Sequence, residues 1–176
     1  MVKMRHCWLL EFLNPEDSYL YNVSEIRAQR WDRMYKRILI ATDGSDKSMK
    51  AAEEGIELAK AVGAQVIALN VVNEVVVASA VRQLGSDRKE VEEKLSASGQ
   101  KAVDGIKKMG DAKGVKTDVI LRIGAPANTV IDVAGAEKAD LIIMGSHGES
   151  GASKLLIGSV VQKVLYWATI PVLVVR

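Results

Sequence analysis

The chain predicts an α/β fold, a parallel sheet with helices on both faces. From residue 36 onward, short β-rich runs alternate with longer segments of helical period, the order expected of βαβ units. Three of the runs, at 37–41, 141–144 and 172–175, are almost continuously apolar, which suits strands buried on both sides.

The first strand is Arg37-Ile38-Leu39-Ile40-Ala41. A helix follows from Ser45 or Asp46, either of which can cap its first N–H groups, with Met49, Ala52, Ile56, Ala59 and Val62 at helical spacing and Gly63 as its stop. The second strand is 65–71. Between Asn73 and Ser86, the run Val75-Val76-Val77 lies outside any predicted strand, and a lid, a short helix or an interface loop would each account for it. A longer helix runs from about Asp87 to Gly110, with Val91, Leu95, Val103 and Ile106 inside and a solvated Glu- and Lys-rich outer face. The third strand is 118–122. Gly124-Ala125-Pro126 reads as a turn into a helix over 126–136, where proline suits a first turn because its missing N–H would lack a partner anyway. The fourth strand, 141–144, precedes a helix that begins at Gly158-Ser159 and stops before Pro171, and 172–175 is the fifth strand.

At 176 residues and 48% apolar composition, the chain is long enough for one self-sufficient core. Lys plus Arg (24) nearly balance Asp plus Glu (22), which leaves no broad cationic field and argues against nucleic acid as a partner. The single cysteine, Cys7, cannot form an internal disulfide or a zinc ribbon, and a reducing cytoplasm fits it best. No run approaches the roughly 20 apolar residues that span a bilayer. The first residues carry Lys3 and Arg5 before Cys7-Trp8-Leu9-Leu10, but Glu11 breaks the run and no cleavage pattern follows, so they read as untranslocated. Residues 1–33 hold Trp8 and Trp31 without a sustained period. They read as an N-terminal extension of uncertain order: an arm that packs on a partner, an artefact of expression, or an upstream start with Met34 opening a domain over 34–176.

The chemistry concentrates where strands end. Gly145-Ser146-His147-Gly148 follows the fourth strand, and Gly158-Ser159 opens the helix behind it. Glycine lets main chain approach a ligand closely, and the first N–H groups of a helix, with its positive dipole end, hold phosphate without a lysine. In a doubly wound sheet, ligands bind beyond the carboxyl ends of the strands, at the point where winding reverses. Ala41-Thr42-Asp43-Gly44 ends the first strand. If the first and fourth strands are neighbours, Asp43 faces the same crevice, where its carboxylate can accept from a ribose hydroxyl or a base amine, or orient a phosphate-bound magnesium through water. Ser146 and Ser159 add hydroxyls, and Val71 offers an apolar wall for a base. Asp43-Gly44-Ser45 equally describes a turn with a helix cap. His147 reads as an exposed loop residue rather than a catalyst, and Lys154 as either a phosphate contact or a solvated side chain. The chain lacks G-x-x-x-x-G-K-[ST], G-x-G-x-x-G after the first strand, and G-x-S-x-G, so P-loop, NAD-type Rossmann and hydrolase-elbow readings fall away.

From Tyr35 to Arg176 the chain resembles the universal stress protein family, specifically its ATP-binding subgroup. The resemblance is carried by 35–45, by Gly124-Ala125-Pro126, by 140–148, and by Pro171 to Val175. Most specifically, the pattern G-x2-G-x9-G-[ST] is met by Gly145, Gly148, Gly158 and Ser159. It implies a doubly wound five-stranded parallel sheet of order 3-2-1-4-5. Carried over by position, adenine and ribose would lie near Ala41, Thr42, Asp43 and Val71. The phosphates would lie on Met144, Gly145, Ser146 and Gly148, and on Gly158, Ser159, Val160 and Val161. Val161 stands where some ATP-binding relatives have a hydroxyl residue. The family also pairs through its last strand, and an apolar edge at 172–175 with open main-chain groups independently favours a homodimer.

The expected function is therefore an ATP- or AMP-binding stress-response protein, a nucleotide-dependent regulatory switch with magnesium reaching it through the phosphates and with no residue assigned to catalysis. Two other readings stand beside it. One is a slow magnesium-dependent ATPase or phosphotransferase using Asp43 or His147. The other is a dimeric scaffold whose N-terminal arm recruits a partner.

Overall fold

The computed structural model describes residues 35–146 and 157–176. In chain order the elements are β1 (Arg37–Thr42), α1 (Asp46–Val62), β2 (Gln65–Asn73), α2 (Glu74–Leu84), α3 (Arg88–Lys113), β3 (Thr117–Gly124), α4 (Pro126–Ala136), β4 (Leu141–Gly145), α5 (Ser159–Trp167) and β5 (Val172–Val175). The strands form one sheet of order β3-β2-β1-β4-β5, and every pairing is parallel. The expected order is therefore the observed one. The chain winds outward from β1 to β3, then crosses back to place β4 on the other side of β1.

Alternation of side chains along the strands divides the core into two layers. Ile38, Ile40, Val66, Ala68 and Ile143 face Ile56 of α1 and Val103 and Ile106 of α3. Leu39, Leu69 and Ile142 face Val130 and Val133 of α4 and Val161 and Val164 of α5. Burying a side chain of this size contributes about 1.5–3 kcal/mol, so each layer alone is a large fraction of what holds the sheet.

The local signals behave as capping chemistry requires. Ser45 accepts from the Ser48 N–H at the start of α1, Asp87 accepts from the N–H groups of Lys89 and Glu90 at the start of α3, and Pro126 occupies the first turn of α4. The 73–86 stretch is the short helix among its three expectations: Asn73 ends β2 and immediately caps α2 through the Val75 N–H. Of α2 only Val77 is buried, while Val75 and Val76 are exposed. β2 and β3 run further than their apolar runs because they pair as far as Asn73 opposite Gly124. Helix α3 runs past Gly110 to Lys113 and is stopped by Gly114 in the left-handed conformation, while the bare Gly110 leaves room for the Thr117 side chain at the start of β3.

At the end of the sheet opposite the glycine loop, the Asp140 carboxylate accepts from the main-chain N–H of Lys36 (2.7 Å) and Arg37 (3.2 Å), and Arg37 pairs with Glu137 at 2.8 Å. On the outer surface, Lys113 of α3 donates to Glu57 of α1. That hydrogen bond, and then the ammonium charge, hold the Glu57 carboxyl below its ordinary value.

Candidate functional site

A crevice of about 460 Å3 opens beyond the carboxyl ends of β1, β2 and β4, at the reversal of winding between β1 and β4. Three chain exits build it. At the end of β1, the buried Thr42 hydroxyl shares a 2.8 Å hydrogen bond with Ser48 and accepts from the Gly44 N–H at 3.0 Å. Asp43 then leaves the sheet into solvent-exposed space at the mouth of the crevice. One of its carboxylate oxygens accepts from the Ser45 N–H (3.1 Å) and hydroxyl (2.6 Å), while the Ser45 hydroxyl accepts from the Ser48 N–H (3.3 Å). The turn-and-cap reading of Asp43-Gly44-Ser45 is thus realised, and Asp43 lines the crevice as well.

At the end of β4, Ser146 commits both halves of its peptide. Its N–H donates to the Val175 carbonyl at 2.8 Å, and its carbonyl accepts from the Gly158 N–H at 2.9 Å. The strand end is thereby pinned to β5 on one side and to the start of α5 on the other. Gly145 permits a close approach. A Cβ there would stand 3.2 Å from the Lys47 carbonyl oxygen and from Ser48 Cα, so its bare face serves the seating of α1 against β4.

At the start of α5 no side chain caps the helix, and the Gln162 N–H already uses the Gly158 carbonyl. The N–H groups of Ser159, Val160 and Val161 have no acceptor within the helix, and they carry the positive end of its dipole at the crevice wall.

Of the residues singled out from sequence, Ala41, Thr42, Asp43, Val71, Met144, Gly145, Gly158, Ser159, Val160 and Val161 all line this one crevice. Ser146 is buried, at 2% exposure, and is not among the residues that line it. Gly148, His147, Lys154 and the 1–33 extension lie outside the described residues. Sequence reasoning missed the side facing α2 and α3, where Asn70, Val76, Leu95, Ser98 and Gly99 complete the lining. Asn70 is one of three polar residues in β2 and Gly99 one of three glycines in α3, so neither stood out by its type alone.

Among the described residues, no group of three or more His, Cys, Asp or Glu side chains is arranged to hold a metal, and no helix is long and apolar enough to cross a membrane.

Comparison with known proteins agrees with this architecture. A profile of the universal stress protein family matches residues 34–176. The universal stress protein MJ0531 of Methanocaldococcus jannaschii is 40% identical over 146 residues, spanning 82% of this chain and 84% of its own. The solved structure of hypothetical protein MJ0577, from the same organism, superposes with a TM-score of 0.71 at 33% identity, covering 81% of this chain and 96% of that one. A universal stress protein solved in complex with cAMP shares the fold, with a TM-score of 0.62 at 24% identity over 81% of this chain and 98% of its own. With the family profile spanning every described element of the sheet, the chain belongs to the universal stress protein family.

Proposed function

We propose that the crevice binds an adenine nucleotide, ATP or AMP, and that the chain is a nucleotide-dependent regulatory switch of the ATP-binding subgroup. The observation that carries this reading is the uncapped start of α5, tied through Gly158 to the end of β4 and facing Asp43 across the reversal of winding. In the proposed complex, the N–H groups of Ser159, Val160 and Val161, with Gly145 and Gly148 of the glycine loop, take the phosphates. Asp43 accepts from the ribose, and Ala41, Thr42 and Val71 border the base. Magnesium enters with the phosphates and is oriented through water by Asp43. The cAMP complex of a protein of the same fold is compatible with a nucleotide in this crevice, but the case for this chain rests on its own residues.

The active unit in this reading is a homodimer in the cytoplasm, paired through β5. That strand ends the sheet, and Leu173 on it is 41% exposed, an open apolar edge of the kind that single chains usually protect.

Isothermal titration with ATP and magnesium tests the nucleotide reading. Saturable heat, displaced by AMP, is the expected result. The absence of heat and of competition at millimolar nucleotide would remove it.

A further inference from the structure

We propose that Asn70 is a positioning residue of the crevice, holding the turn that carries Asp43 through the Thr42 carbonyl, and that residue 99 of α3 is glycine so that it can. The inference rests on the nucleotide reading above for its functional consequence, though not for its geometry.

Thr42 is the last residue of β1 and lies opposite Asn70 in the parallel register. There β1 turns away, while β2 continues to Asn73 alongside β3. The Thr42 carbonyl loses its ladder partner at a buried position, where an unmade hydrogen bond is costly. The Asn70 side chain supplies the substitute, its Nδ2 donating to that carbonyl at 2.9 Å. Since a carbonyl only accepts, the amide group must present its nitrogen to Thr42 and its oxygen to α3.

At that spot α3 is bare. A Cβ on Gly99 would overlap Asn70 Oδ1 and stand 2.8 Å from Leu121 Cδ1, so the helix reaches Asn70 only because residue 99 has no side chain. Glycine is unfavourable inside a helix relative to alanine, and this contact accounts for its place in the middle of α3. Thr42 is then gripped from both ends. Its carbonyl is held by Asn70, and its hydroxyl by Ser48 and by the Gly44 N–H. The next residue along is Asp43, whose direction of departure from the sheet is set by that grip.

The test compares Asn70→Leu, Gly99→Ala and the double variant in the full chain, with Asn70→Asp, which matches asparagine in size and cannot donate when ionised, replacing Asn70→Leu should it not fold. Two readouts are taken: the Kd for ATP with magnesium, and amide hydrogen exchange at Gly44 and Ser45 in nucleotide-free protein. Each single variant is expected to raise Kd about tenfold and to speed exchange at both amides. The double variant is expected to do no worse than the singles, because all three lose one hydrogen bond. A role limited to packing α3 would lower Tm and leave those two amides unchanged. Effects that multiply in the double variant, or exchange and Kd within twofold of the parent, overturn the proposal. Should the parent itself give no ATP heat, the nucleotide reading fails, and exchange at Gly44 and Ser45 still decides whether Asn70 holds the turn.

Discussion

Replacing Ser159 with proline deletes one main-chain donor from the proposed phosphate cradle while leaving the scaffold intact. Ser159 is the first residue of α5, where the fixed φ of proline fits and the missing N–H has no helical acceptor to lose. The residue before a proline must be extended, and Gly158 already lies at φ −57°, ψ 146°. Both hydrogen bonds of Gly158, its N–H to Ser146 and its carbonyl from Gln162, survive the change. What disappears is one N–H directed at a charged ligand. Hydrogen bonds to charged groups contribute about 1.5–3 kcal/mol, so ATP should bind about 10-fold to 150-fold more weakly. Ser159→Ala isolates the hydroxyl and sets the reference. Titration calorimetry measures Kd, and urea unfolding measures stability, which should hold or rise by up to about 1 kcal/mol because the unfolded chain is stiffened. A Ser159→Pro protein that binds ATP within twofold of Ser159→Ala, at unchanged stability, would refute an amide cradle at α5.

Gly145→Ala should lower unfolding free energy by about 1–3 kcal/mol in urea titration, since the added methyl meets main-chain atoms of Lys47 and Ser48, which have no rotamer to escape into. Asp43→Asn keeps an oxygen for the Ser45 turn and should leave Tm unchanged, whereas Asp43→Ala loses that acceptor and about 1 kcal/mol of stability. Both should weaken ATP binding, and a loss seen only with magnesium present would identify a metal-water role for the carboxylate. Leu173→Lys should convert a dimer to a monomer in analytical ultracentrifugation, with the crevice still competent to bind nucleotide. Because the carboxyl of Glu57 is lowered in the folded chain by Lys113, the stability from this pair is present above the ordinary carboxyl range and fades as pH falls through the depressed value. Lys113→Met should therefore flatten the acid side of the stability profile and return the NMR-monitored Glu57 titration to its usual range.

Much of this fold was legible because its signals are local. The apolar runs of β1, β4 and β5, the Ser45 cap, the Gly63 stop and the proline opening α4 each act within a few residues, and the structure repeats them. The α2 segment was not decidable from its sequence. Three consecutive valines favour a strand locally, and the helix is settled by the Asn73 cap and by burial of Val77 beside Val91 of α3, a contact between distant parts of the chain. The same divide runs through the crevice. Residues at the exits of β1 and β4 and at the start of α5 belong to contiguous motifs and were found. Asn70 and Gly99 matter only because α3 crosses β2 at that point, which no spacing encodes. Gly145 shows a subtler gap: its place by the crevice was readable, but its bare face turns toward α1.

The two main-chain hydrogen bonds of Ser146 tie the outermost strand to the start of α5 through a single residue. If β5 pairs with a second copy and α5 holds the ligand as proposed, partner and ligand act on the same short lever. Thermodynamic linkage then imposes a symmetry on them: whatever factor self-association contributes to ligand affinity, the ligand returns to self-association in equal measure.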